Sequence, residues 1–152
     1  MYIDRLVKEG MIMGVKNFEF QVEAKTDNLD EVMNFVGTHL DEIDCPFKVR
    51  MQIDIAVEEI FVNIASYAYS PGSGDATIKL EIDDDPELVK IIFIDSGVPY
   101  DPLKKRDPDI TLSADERAIG GLGIFMVKKS MDDMFYEYKD EQNMLTIIKK
   151  LN

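Results

Sequence analysis

Residues 88–94, Leu-Val-Lys-Ile-Ile-Phe-Ile, form an almost uniformly apolar run that ends at Asp95-Ser96-Gly97. A run this short, bounded by turn residues and rich in aliphatic side chains, reads as a buried central strand. Ile78, Leu80 and Ile82 alternate with polar residues just upstream, and Asp83-Asp84-Asp85-Pro86 separates the two segments. A strand, a short turn and a second strand make an antiparallel pair. The chain is thereby committed to a sheet with an apolar interior strand, which other elements must cover.

The covering elements are legible as helices. Thr26, Asp27 and Asn28 offer capping oxygens before Leu29, Val32, Met33, Val36 and Leu40, which follow helical spacing. This predicts a first helix over about 28–42. Pro46 opens a second helix whose apolar face is Val49, Ile53, Val57, Ile60 and Ile64, running to about Tyr69, where Ser-Pro-Gly-Ser-Gly stops it. Leu122 to Met131 is apolar at helical spacing. Phe18, Phe20, Val22 and Ala24 alternate as a strand, and Phe135–Tyr138 with Met144–Leu151 make a final hairpin around residues 140–143. Helices and antiparallel strands mix without a βαβ rhythm. The expected class is α+β: a two-layer sandwich, mostly antiparallel, with helices on one face of the sheet. No internal repeat or linker divides the chain, so one domain is expected over 15–152. Met1, Met11 and Met13 allow translation to begin late, and residues 1–14 are expected as a flexible N-terminal extension.

Composition narrows the function. The formal net charge is −13, a surface that repels phosphate backbones and anionic lipid, so neither nucleic acid nor membrane is the expected partner. Such acidity either keeps the chain soluble or attracts a basic protein. Cys45 is the one cysteine and His39 the one histidine, too few for a metal site of the usual ligand count. A chain with no disulfide fits a reducing cytoplasm. No apolar run approaches the roughly 18 residues that a membrane span needs.

Three places carry candidate chemistry. Glu59 and Asn63 are four residues apart, so their side chains share one helical face. An amide oxygen there can ligate Mg²⁺, and a carboxylate one turn away can accept a proton. Asp95, at the end of the buried strand, can accept a hydrogen bond from an exocyclic amine such as that of adenine, and Gly97 removes bulk beside the base. Gly120-Gly121-Leu122-Gly123 opens a helix, where backbone N–H groups and the helix dipole favour phosphate oxygens. Taken singly, each is also ordinary structure: a solvated helix surface, a strand-ending turn, a glycine hinge. No Gly-Lys-Ser/Thr follows the glycines, so this is not a Walker loop, and they do not follow the first strand as a Rossmann fingerprint would. Between Asp95 and Gly120 no periodicity is visible, and Pro99, Pro102 and Pro108 interrupt it. A loop beyond about 12–15 residues in a compact domain usually has a use, such as a lid over a ligand.

The order of these motifs resembles that of the Bergerat-fold ATPases, the superfamily of gyrase, histidine kinases and the heat-shock chaperones. The resemblance is nearest to the bacterial anti-sigma factor serine/threonine kinases and their ATP-binding relatives. It is carried by residues 56–65 (Ala-Val-Glu-Glu-Ile-Phe-Val-Asn-Ile-Ala) with Tyr67-Ala68-Tyr69, by Asp95-Ser96-Gly97 with Asp101-Pro102-Leu103, and by Gly120-Gly121-Leu122-Gly123-Ile124-Phe125-Met126-Val127. It extends over roughly residues 17–151.

The resemblance implies ATP and Mg²⁺ as ligands. It assigns Asn63 to Mg²⁺, Glu59 to general base, Asp95 and Gly97 to the adenine pocket, and Gly121, Leu122 and Gly123 to the phosphates. It also implies that a threonine of the last hairpin strand supports the adenine site, a place that Thr146 fits. Arg117 stands where some relatives carry an arginine near the terminal phosphate, and Lys104-Lys105-Arg106 is the one dense basic cluster, within the expected lid. The implied activity is phosphorylation of a small antagonist (anti-anti-sigma-like) protein in a partner-switching circuit, with a sigma factor as a further partner. The implied assembly is a homodimer. A nucleotide-gated binding module without catalysis is the alternative. An ATPase module detached from a histidine kinase fits less well: no dimerisation helix pair is visible, and His39, followed by Leu40, lacks the usual acceptor context.

Overall fold

The computed structural model describes residues 7–12, 14–84, 87–104 and 122–152. Six strands form one sheet: β1 (Val7–Ile12), β2 (Val15–Glu23), β3 (Asp75–Asp84), β4 (Glu87–Asp95), β5 (Asp133–Lys139) and β6 (Gln142–Lys150). Their order across the sheet is β1-β2-β3-β4-β6-β5, and every pairing is antiparallel. The helices are α1 (Leu29–Glu42), α2 (Phe47–Asn63) and α3 (Leu122–Ser130). The fold is α+β, as the mixture of periodicities predicts.

The layers follow from alternation along the strands. Phe20, Ile78, Phe93 and Leu145 stand in register across β2, β3, β4 and β6, and all are buried. The rows beside them, Phe18–Leu80–Ile91–Ile147 and Val22–Ala76–Asp95–Asn143, lie on the same face. Against this face pack Val32, Val36 and Leu40 of α1, Ile53, Val57, Ile60 and Phe61 of α2, and Ile124 and Val127 of α3. Burying one such aliphatic or aromatic side chain contributes about 1.5–3 kcal/mol, so this face supplies the main driving force for the fold. The opposite face carries charged pairs such as Lys79 with Glu19, 3.7 Å apart.

α1 begins one residue after Asn28, whose side-chain amide donates to the Glu23 carbonyl at 2.9 Å and ties the helix start to the end of β2. α2 follows Pro46 and is apolar on two sides. Ile53, Val57 and Ile60 are buried, while Phe47, Met51 and Ile55 are exposed. Beyond Asn63 the helix does not end but widens into a π-helical turn, Ile64–Ala68. The helical stretch expected to run to Tyr69 is thus two geometries in series.

Two features depart from the sequence reading. β1 lies inside the stretch expected as a flexible extension, yet residues 7–12 pair with residues 15–20 of β2. Val-Lys-Glu-Gly-Met-Ile has no clean alternation, and an edge strand is held by main-chain hydrogen bonds that side-chain pattern does not report. The last hairpin is also tighter than expected. Its turn is Asp140-Glu141, both with positive φ (53° and 62°), as a two-residue hairpin loop requires. Gln142 and Asn143 therefore belong to β6.

His39 and Cys45 are structural. The His39 ring stacks on Phe18 with centroids 3.6 Å apart. Cys45 packs at the edge of the core, and burial pushes its thiol up from the ordinary value.

Candidate functional site

The site gathers at one end of the helix-facing side of the sheet. β4 runs apolar until Asp95, which is buried (6% exposed) on the same face as Phe93 and Ile91. A buried carboxylate demands donors. Two reach Oδ1: the Gly97 backbone N–H at 2.9 Å and the Asn143 side-chain amide at 2.9 Å. Among the described residues nothing donates to Oδ2, which leaves one strong acceptor for an external N–H.

The turn after Asp95 is held against the π-helical turn. The Val98 N–H donates to the Ala68 carbonyl at 2.9 Å. A Cβ on Gly97 would stand 2.2 Å from that oxygen and 2.6 Å from the Ala68 carbonyl carbon, so the approach admits only glycine. Tyr69 completes the clamp: its hydroxyl accepts from Ser96 N–H at 2.7 Å and donates to the Asp75 carbonyl at 2.6 Å. Burial pushes the Tyr69 phenol above its ordinary value, against the Ser96 bond that lowers it, with the charge of Asp95 adding to the rise. The widened turn is what carries Ala68 and Tyr69 to this contact; π-turns within helices recur at functional sites.

On α2, Glu59 and Asn63 are half-buried one turn apart. The Asn63 amide approaches Glu59 Oε1 at 3.5 Å, the limit of a hydrogen bond. With its N–H₂ turned to the carboxylate, the Asn63 oxygen is left to accept a cation. The Glu59 carboxylate lies at the start of α3: a Cβ on Gly123 would fall 1.9 Å from Oε1 and 2.2 Å from the carboxyl carbon. Glycine at 123 thus makes room for the carboxylate beside a helix N-terminus. Among the described residues no group of three His, Cys, Asp or Glu gathers to hold a metal. A donor set of one amide oxygen suits Mg²⁺ that arrives with phosphate and water ligands rather than a caged ion.

Asp95, Gly97, Glu59, Asn63 and Gly123 therefore line two adjoining stretches joined by the Asn63–Ala68 segment. Leu122 is the first residue of α3. Gly120, Gly121, Arg117, Lys105, Arg106 and the central part of the expected lid lie outside the described residues; Lys104 ends a short 3-10 turn, Pro102–Lys104, and is exposed. The start of that turn is fixed by Asp101, whose carboxylate accepts the Leu103 N–H at 2.8 Å.

Thr146 does not stand where the resemblance implies. Its partners across the sheet are Ile92 and Phe135, so alternation sets it on the face away from Asp95 and the helices. The β6 residue opposite Asp95 is Asn143, which is buried. Its Nδ2 donates to Asp95 and to the Val98 carbonyl at 3.0 Å. Its Oδ1 accepts from Tyr100 N–H at 3.1 Å and from the Tyr136 hydroxyl. The sequence does not single out Asn143, because Gln-Asn after Asp-Glu looks like a turn. The length of the preceding two-residue loop would have been the signal.

A buried acidic strand end, a glycine-shaped turn, and a Glu/Asn helix face closed by a second helix start define a histidine kinase-like ATPase domain. The family model of that description matches residues 22–149, and the chain belongs to this family. It is also similar to the serine/threonine-protein kinase BtrW of Bordetella bronchiseptica, 29% identical over 100 residues, which is 66% of this chain and 70% of that protein. No helix among the described residues is long and apolar enough to cross a membrane.

Proposed function

We propose that the protein is an ATP-dependent serine/threonine protein kinase that phosphorylates a small antagonist protein in a partner-switching circuit, with a sigma factor as the partner so released or captured. The observation that carries this reading is the packing of the Glu59 carboxylate against Gly123 at the start of α3, with Asn63 one turn away. Similarity to a serine/threonine-protein kinase supports phosphotransfer as the activity.

The roles follow from chemistry. Asp95 accepts the adenine amine on its open oxygen, and Gly97 keeps the wall beside the base flat. Asn63 gives its amide oxygen to Mg²⁺. The N–H groups at the start of α3 receive phosphate oxygens, which the helix dipole favours. Mg-ATP supplies the phosphoryl group. Glu59 takes the proton from a serine or threonine hydroxyl as that oxygen bonds to the terminal phosphorus and ADP departs.

Incubation with radiolabelled ATP and the antagonist protein tests the reading. Label should appear on a serine or threonine of the antagonist and disappear with Glu59→Ala. Transfer untouched by that substitution contradicts it. A second reading, nucleotide-gated partner binding without transfer, is favoured by one observation: Asn143 joins Asp95 to Val98 and Tyr100, on the segment leading into the expected lid. In that case Asn63→Ala abolishes both nucleotide and partner binding, whereas Glu59→Ala leaves both intact and no label is transferred.

A further inference from the structure

We infer that Asn143 is a positioning residue that sets purine selectivity, by holding the Asp95 carboxylate in the orientation that accepts a 6-amino group and refuses a 6-oxo group. The inference rests on the ATP-binding reading above and deepens it.

The orientation of the Asn143 amide is settled by its neighbours. Two donors, the Tyr100 N–H and the Tyr136 hydroxyl, converge on Oδ1. Only acceptors surround Nδ2: Asp95 Oδ1 at 2.9 Å, the Val98 carbonyl at 3.0 Å and, more distantly, the Gly97 carbonyl at 3.4 Å. An inverted amide would set its oxygen against three acceptors and its N–H₂ against the Tyr100 N–H, which can only donate. Asn143 is itself buried, on a strand whose register opposite β4 is fixed over eight pairs. The amide is thus a rigid part of the sheet rather than a mobile side chain.

Its effect on Asp95 is directional. With Gly97 N–H it fills Oδ1, so the carboxylate cannot rotate without losing two bonds inside a buried setting. Oδ2 is then presented as a fixed acceptor. An adenine amine satisfies it. Hypoxanthine and guanine would offer a carbonyl oxygen at the same position, placing two acceptors together and leaving a buried carboxylate oxygen unmatched. Without Asn143 the carboxylate can turn, and the penalty against the 6-oxo base relaxes.

The test compares equilibrium binding of Mg-ATP and Mg-ITP, which differ in the 6-substituent. The wild-type chain is expected to favour ATP by about tenfold or more. Asn143→Ala should weaken ATP by about tenfold while ITP changes by no more than about threefold, collapsing the preference. A structural loss alone would weaken both nucleotides equally, and that result overturns the inference, as does a preference that survives intact. Asn143→Asp adds a signature. A second carboxylate beside Asp95 must share a proton to restore the bond, so preference for ATP should recover as pH falls from about 8 to about 5.5; a pH-independent preference contradicts the inference. Tyr136→Phe, which removes one anchor of the amide, should lower the preference by about threefold if Asn143→Ala fails to fold, and an unchanged preference there overturns it. A wild-type chain that binds no ATP defeats the ATP-binding reading itself. One that binds ATP and ITP alike defeats only the role of Asn143.

Discussion

Gly123 stands so near Glu59 that a single added methyl at 123 would overlap the carboxylate, 1.9 Å from Oε1. The obstacle is the far end of a flexible side chain, so the fold can accommodate alanine there by moving Glu59. Alanine also gains helix propensity over glycine, by about 0.8–1.0 kcal/mol in a helix interior and less in the first turn. Gly123→Ala is therefore expected to leave the melting temperature unchanged or slightly raised while lowering phosphotransfer by about tenfold or more through the displaced base. Thermal unfolding and label transfer, measured on the same preparation, check both halves.

Gly97 presents the opposite case. Its neighbour is backbone, the Ala68 carbonyl at 2.2 Å from a built Cβ. That group cannot swing away, and displacing it breaks the Val98–Ala68 hydrogen bond. Overpacking of this kind costs about 1–3 kcal/mol. Gly97→Ala should lower the midpoint of urea unfolding and weaken ATP binding together, since the turn that carries Asp95's partner N–H shifts with it.

The contrast between these glycines shows what the sequence could tell. The buried strand, its Asp-Ser-Gly end and the Glu59/Asn63 spacing are local patterns, readable from alternation and helical period. Where the motifs meet is not local. Glu59 and Gly123 come together because α2 and α3 pack side by side on the sheet, which depends on strand order. Asn143 and Thr146 illustrate the limit most sharply. Both are polar residues in β6, and only the register opposite β4 puts Asn143 on the Asp95 face and Thr146 on the other. β1 escaped for a related reason: its pairing is main-chain, without an apolar face to announce it.

Alkaline stability should report the Tyr69 clamp. Burial raises the phenols of Tyr69 and Tyr136 above the ordinary value, the Tyr69 rise opposed by the Ser96 bond and the Tyr136 rise by the Tyr100 backbone. In the unfolded chain both ionise near about pH 10. Above that pH the unfolded state releases protons that the folded state still holds, so stability falls as pH rises toward the folded values. Below it the contribution is complete. Stability from urea titration is expected to be flat in this respect up to about pH 9 and to decline above about pH 10. In a Tyr69→Phe, Tyr136→Phe chain, stability should start lower at neutral pH, because the clamp bonds are gone, and should decline less steeply above about pH 10.

Glu59 and Asn63 should separate binding from transfer. Asn63→Ala removes the amide oxygen offered to Mg²⁺ and should weaken Mg-ATP more than ATP with the metal chelated. Glu59→Ala should retain ATP binding within about threefold yet lose transfer by about two orders of magnitude or more, the range that a positioned general base contributes. Equal loss of binding in both variants would assign the two side chains one structural role instead of two chemical ones.

If Asp95 and Asn63 hold the two ends of Mg-ATP, as proposed, neither side chain can be removed without loss of binding. Calorimetric titration of Mg-ATP into the wild-type chain, Asp95→Ala and Asn63→Ala tests it most directly. Saturable binding by the wild-type chain is expected, with a loss of about tenfold or more in each variant. Unchanged affinity in both variants, with the chains folded, would contradict it.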